Sequence, residues 1–291
     1  MDILVTGANS QLGQSLKCLS SEKNNSHNFI FTSRKQLDIT STTDLEIFIE
    51  TGNFDLIINC AAYTRVDEAE ANEIKANLIN HLAVKKIAEV SNKNQIKLIH
   101  ISSDFVFDGS KNEPYNENDI ASPINIYGKS KYAGELAILE EMKSNAIIIR
   151  TSWMYSEYGN NFVDTILSLS RKNDTLNVVT DQIGNPTYAR DLSQLIMKIV
   201  MSEKFNSFDQ SSKIFHYSNE GICSWYDFAK EVIKISGNKC TINPILTKNY
   251  YSKVRRPKNS SMSKKKVIKE FGIRIFSWED SLKRCIHNIT N

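Results

Sequence analysis

The chain has 291 residues, 41% apolar and 24% charged, too hydrophobic for a disordered protein and too mixed for a fibre, so it must bury a core. No apolar run nears the roughly 20 residues that span a bilayer, and the start, Met1-Asp2-Ile3-Leu4-Val5, carries neither a basic leader nor a small-residue cleavage site. The expectation is a cytoplasmic protein without a membrane partner. The net charge of +3 is uneven: residues 248–291 hold 12 Lys and Arg against 3 Asp and Glu, which suits a phosphorylated small molecule, an acidic lipid or RNA. The run Ser263-Lys264-Lys265-Lys266 lacks interleaved stacking aromatics, so its plain reading is a solvated helix face and nucleic acid is not expected.

In chain order, β-rich runs at 3–6, 29–32, 56–59, 98–102 and 147–150 alternate with helical stretches at 11–20, 42–51, 72–93 and 125–143. A strand at 177–180, a helix at 189–203 and a strand at 214–217 follow. The stretch 72–93 places Ile74, Leu78, Leu82, Ile87 and Val90 at the spacing of an amphipathic helix. Such alternation predicts an α/β fold with a Rossmann-like, doubly wound parallel sheet. From about 216 the alternation stops, and Trp225, Tyr226, Phe228, Tyr250 and Tyr251 accompany the basic segment. A smaller second domain over the sheet's rim explains that change. Cys18, Cys60, Cys223, Cys240 and Cys285 form no CxxC pair, and His27, His81, His100, His216 and His287 show no paired ligand spacing. These histidines read as packing residues, and neither a disulfide framework nor a metal is expected.

Ligands of doubly wound sheets sit beyond the carboxyl ends of the strands. After the first strand comes Thr6-Gly7-Ala8-Asn9-Ser10-Gln11-Leu12-Gly13, which opens a helix and so offers backbone N–H groups and a helix dipole to a pyrophosphate. Ser10 stands where a fully glycine loop has its middle glycine. The second strand ends Phe31-Thr32-Ser33-Arg34 without a carboxylate; Arg34 there favours a 2′-phosphate and hence NADPH, with NADH left open, while Asp38 and Ile39 flank the adenine. Ala61, Ala62 and Tyr63 follow the third strand, and Ser102, Ser103 and Asp104 close the fourth. Tyr127 and Lys131 lie four apart, hence on one helix face, where an ammonium would lower the phenol's pKa from about 10 toward neutrality. Tyr127 can then protonate a carbonyl oxygen that Ser103 orients.

These residues resemble the extended short-chain dehydrogenase/reductase superfamily and, within it, the dTDP-4-dehydrorhamnose reductase family. The specific stretches are HISSDFVFDG at 100–109, RTSWMY at 150–155 and DQIGNPTYARDL at 181–192, with NCAAYTRVDEAE, PINIYGKSKYAGE, GNNF and RRPKNS in support. The resemblance implies reduction of the C4 ketone of a dTDP-4-keto-6-deoxy sugar, with Tyr127 as proton donor, Lys131 on the nicotinamide ribose and Ser103 polarising the ketone. It implies that Gly7, Asn9, Ser10, Gln11, Leu12, Gly13, Asp38, Ile39, Ala61, Ala62, Tyr63 and Ser102 line the cofactor. Asp104 and Trp153 would hold the sugar, and Asn161, Gln182, Arg255 and Arg256 would face the nucleotide sugar, the arginines its diphosphate. Three positions depart from the family pattern: Ser10 replaces glycine, Phe105 stands where Tyr is common, and Ser263 where Asp is frequent. The expected division is a dinucleotide-binding domain of 1–152, with 175–215 returning to it, and a substrate-binding domain of 153–174 and 216–291. A homodimer is left open. So are two rival functions: a reductase or epimerase of another nucleotide-linked 4-keto sugar, and a non-catalytic cofactor-binding regulatory subunit.

Overall fold

A computed structural model describes residues 1–21, 27–206, 211–252 and 254–290. The strands are β1 (Asp2–Thr6), β2 (Asn28–Thr32), β3 (Leu56–Asn59), β4 (Lys97–Ser103), β5 (Ala146–Thr151), β6 (Met154–Tyr155), β7 (Thr175–Val179), β8 (Ile183–Gly184), β9 (Thr187–Tyr188), β10 (Lys213–His216), β11 (Cys223–Ser224) and β12 (Thr241–Ile245). Six of them form one parallel sheet in the order β10-β5-β4-β3-β1-β2. The chain reverses its direction of winding between β1 and β3, where a crevice opens at the carboxyl edge.

Alternate side chains of each strand face opposite layers of helix. Ile3, Val5, Ile58, Ile99 and Ile149 pack with Leu12, Leu16 and Leu192–Val200 on one side. Leu4, Ile57, Leu98 and Ile148 meet Leu45, Ile49, Val84, Ile87 and Ile138 on the other. A third core joins Tyr155, Val163, Tyr188, Phe228, Trp278 and Leu282. β7 pairs with β12, β8 with β11 and β9 with β6. β7 thus lies with β12 and outside the large sheet, while Leu192, Ile196 and Ile199 reach the sheet core.

Two local expectations change. The single helix expected over 72–93 is Glu73–Asn77, a π turn at Leu78–Leu82, and Ala83–Lys93. The Ala83 N–H reaches back five residues to Leu78, which rotates the earlier turns. Ile87 and Val90 are buried, whereas Ile74, Leu78 and Leu82 are exposed. The lysine run is not a solvated face throughout: Lys264 is buried beside Glu220, and Lys266 donates to the Ile214 carbonyl. Among the described residues no helix is long and apolar enough to cross a membrane.

Candidate active site

The loop after β1 leads into helix Gln11–Ser20. Gly7 has φ +71°, and a Cβ there would lie 2.7 Å from the Ala61 nitrogen, so only glycine lets this loop close against the one after β3. Ser10 has φ −72°, open to any residue, and its hydroxyl accepts from the Gly13 N–H at 3.0 Å as the helix N-cap. The serine thus replaces a glycine without strain. The intrahelical ladder starts with Gln14 donating to Ser10, which leaves the Gln11 and Leu12 N–H groups outside it. Gly7, Asn9 and Ser10 line a cavity of about 440 Å³ with Arg34, Asp38, Ile39, Ala61, Ala62 and Tyr63. Arg34 donates from Nε to Asp38 at 3.1 Å, and its side chain is 69% exposed. Burial works against the Asp38 carboxylate, but hydrogen bonds from Thr40 and Arg34 hold its pKa below the ordinary value.

An adjoining cleft of about 740 Å³ is lined by Asn9, Ser10, Gln11 and Leu12 on one side and by Ser102, Ser103, Asp104, Tyr127, Lys131 and Trp153 on the other. Tyr127 and Lys131 stand on helix Ile126–Glu141, which starts where the Asn125 side chain caps the Gly128 N–H at 2.8 Å. The Phe105 ring meets Tyr127 edge-on at 5.5 Å. The Ser103 hydroxyl donates to Asp104 at 3.0 Å and accepts from the Phe105 N–H. Two polar atoms at this floor, Ser102 Oγ and Asp104 Oδ2, are buried without a hydrogen-bond partner among the described residues. Orphaned groups of this kind mark where a ligand supplies the missing bond.

The electrostatics reverse one expectation. Burial pushes the Tyr127 phenol up to about 12; Ser103 opposes the rise and Asp104 adds to it. Lys131 Nζ donates to the Ile101 carbonyl at 2.6 Å and lies 3.4 Å from His100 Nε2. Burial brings Lys131 itself down to about 8, with Glu135 foremost in opposing the fall. Burial raises Asp104 to about 6, partly offset by the hydroxyls of Ser260 and Ser103.

The expected sugar contacts divide. Trp153 adopts φ +46°, a strained conformation for a bulky residue, and its ring stacks on Trp225 at 3.5 Å. Gly184 makes room for it: a Cβ there would come within 2.8 Å of the indole. Arg256 lines the cleft but pairs through Nη2 with both oxygens of Asp67 at 2.7 Å. Asn161 lines it too, with its side chain spent on the Asp164 N–H and the Ser156 carbonyl. Gln182 is buried against Thr247 and Arg255 is exposed, both outside the cleft lining. Trp225, Asp67 and Asn59 had no expected place in the site, and His100 was expected only to pack. The last two carried a signal, since a polar residue near the end of an otherwise apolar parallel strand is anomalous.

The winding reversal, the glycine loop at a helix start and the buried Ser-Tyr-Lys group at the carboxyl edge define a nicotinamide-dependent oxidoreductase of the short-chain dehydrogenase/reductase type. The match can be made narrower. The chain belongs to the family described as RmlD substrate binding domain, whose model matches residues 1–291. It is 38% identical over 291 residues to a dTDP-4-dehydrorhamnose reductase of Aggregatibacter actinomycetemcomitans, covering 97% of each chain. The solved dTDP-4-dehydrorhamnose reductase of Clostridium acetobutylicum superposes with a TM-score of 0.93 at 34% identity, covering 100% of both chains. That of Bacillus anthracis, solved in complex with NADP, gives 0.91 at 36% identity and covers 99% of each.

Proposed function

We propose that the chain is an NADPH-dependent reductase of dTDP-4-dehydro-L-rhamnose, acting at the C4 ketone to give dTDP-L-rhamnose. The observation that carries this reading is the convergence of Ser103, Tyr127 and Lys131 with the loop residues Asn9–Leu12 on a single cleft. Two phosphate positions of the cofactor find matching groups. The first-turn N–H groups of Gln11 and Leu12 suit the pyrophosphate, and the guanidinium of Arg34, paired only through Nε among the described residues, suits a 2′-phosphate. When bound, the dihydronicotinamide supplies hydride to the carbonyl carbon.

The protein's own part is to bind the ketone and protonate it. Tyr127, kept as a phenol by burial, gives its proton to the ketone oxygen. Ser103 can turn its hydroxyl to the same oxygen once it releases Asp104, and Phe105 packs edge-on against the phenol ring. Trp153, backed by Trp225, presents an apolar face to the sugar ring. Arg256 answers the diphosphate once it leaves Asp67. The same reading divides the chain into a cofactor-binding unit, residues 1–152 rejoined by Ala189–Val200 and β10, and a substrate-binding unit built on the third core. Leu78, Leu82 and Leu136, exposed on adjoining helices, support pairing of two copies, which sedimentation would measure.

The test is oxidation of NADPH by the purified protein with enzymatically prepared dTDP-4-dehydro-L-rhamnose, followed at the reduced-cofactor absorbance band. Tyr127→Phe should retain NADPH binding and lower kcat by about 10²- to 10⁴-fold. Absence of turnover of every dTDP-4-keto-6-deoxy sugar by folded wild-type protein would overturn the reading.

A further inference from the structure

The parallel register sets Thr6 of β1 beside Asn59 of β3, and Asn59 beside His100 of β4. All three face the layer of helix Ile126–Glu141, and each is at most 1% exposed, as is Lys131 above them. Their hydrogen bonds run in a chain. Asn59 Oδ1 accepts from the Thr6 hydroxyl at 2.7 Å and from the Ala61 N–H at 3.2 Å. Two donors on that oxygen fix the amide's orientation, since the flipped amide would set its NH₂ against the Ala61 N–H. Asn59 Nδ2 therefore donates to His100 Nδ1, 3.0 Å away.

An imidazole whose Nδ1 accepts carries its proton on Nε2 when neutral. His100 is neutral: burial, reinforced by the Lys131 charge, drives its pKa well below 6.5. Its Nε2–H then points at Lys131 Nζ, 3.4 Å away. Against an ammonium this is donor facing donor, with no bond to be made. A neutral amine has a lone pair to accept it and still donates to the Ile101 carbonyl.

We propose that His100, locked as its Nε2–H tautomer by Asn59 and Thr6, is a positioning residue that favours the neutral amine of Lys131 and so makes its ammonium a readier acid. The proposal rests on the reading of Tyr127 and Lys131 as the proton-handling pair. An amine left by loss of the Lys131 proton accepts the His100 Nε2–H. The other groups facing Lys131 are Cys60, whose thiol burial raises to about 12, and Glu135, whose carboxylate is bound by the buried Arg150 at 2.6 Å.

The test reads both groups in the cofactor-free protein, so it is independent of which ketone the chain reduces. Long-range ¹H–¹⁵N spectra should show His100 protonated on Nε2 alone across about pH 6 to 9. The ¹³Cε shift of Lys131, assigned with Lys131→Arg, should titrate near pH 8. Asn59→Asp turns the partner of Nδ1 into an acceptor, so the proton moves to Nδ1 and Nε2 accepts from the ammonium; His100→Gln offers the ammonium an amide oxygen. In both, the Lys131 titration should climb by about one pH unit or more, a tenfold change in its proton equilibrium. The basic limb of the kcat pH profile should climb with it, where a merely structural loss would lower kcat evenly at every pH. Finding the His100 proton on Nδ1 in wild type, or a Lys131 titration unmoved in both variants, would overturn the proposal. Failure of the wild type to reduce any dTDP-4-keto sugar would count against the functional reading and leave these spectra to decide this one.

Discussion

Asp104→Asn should change how stability depends on pH, and the size of the change follows from the site. Asp104 is 2% exposed, with Oδ1 accepting from Ser103 and Oδ2 bare. Burial carries its pKa from the ordinary 3.8 to about 6. The folded chain thus holds this proton more tightly than the unfolded one, and stability is lost as pH rises from about 4 through 6. Over the full range the loss is about 3 kcal/mol, of which about 2 kcal/mol falls between about pH 4.5 and about pH 7.5. Asparagine cannot ionise, so the loss disappears, while its buried NH₂ costs about 1–3 kcal/mol at every pH. Urea unfolding of both proteins at the two pH values should show the variant gaining about 2 kcal/mol on the wild type from acid to neutral. Parallel stability curves would refute the reasoning, because they would mean that Asp104 ionises in the fold as easily as in water.

Two further substitutions address the cofactor. Ser10→Ala removes the cap on Gly13 and should cost about 1 kcal/mol of stability, Ser10→Gly only a few tenths, both read by urea unfolding. Because Ser10 needs no glycine conformation, Ser10→Gly should leave the NADPH Kd within about twofold by fluorescence titration; a tenfold tightening would show that its Cβ obstructs the phosphates. Arg34→Ala removes an exposed cation from the cavity that Asp38 and Ile39 also line and should raise the KM for NADPH about tenfold, with little effect on that for NADH. Equal effects on both cofactors would detach Arg34 from the 2′-phosphate.

The sequence was most legible where chemistry depends on local spacing. The Gly7-to-Gly13 loop, the strand ends and the Tyr127–Lys131 interval all follow from periodicity, and the structure places them on one cleft. It was least legible where the partner arrives from elsewhere in the fold. Spacing puts Lys131 on the same helix face as Tyr127, but which acceptor its Nζ takes depends on β4, more than two dozen residues earlier in the chain. The π turn at 78–82 shows the same limit. Leu78 and Leu82 continue the apolar rhythm of Ile87 and Val90, yet one extra residue in the turn rotates them to the surface.

Arg256 makes the point for charge. Its place in a basic segment suggests a site for the substrate's phosphates, and the backbone does carry it to the cleft. A cation that waits there must be neutralised, however, and Asp67, remote in sequence, does so with two bonds of 2.7 Å. A diphosphate that recruits Arg256 must therefore outcompete a carboxylate already in hand, and the pair's exposure keeps that exchange inexpensive, since Asp67 is 65% exposed and loses little by returning to water. The same pairing on the buried Arg150, with Glu135 inaccessible, allows no such exchange. Burial, and not the identity of the pair, separates the arginine that can serve a ligand from the arginine that holds the fold.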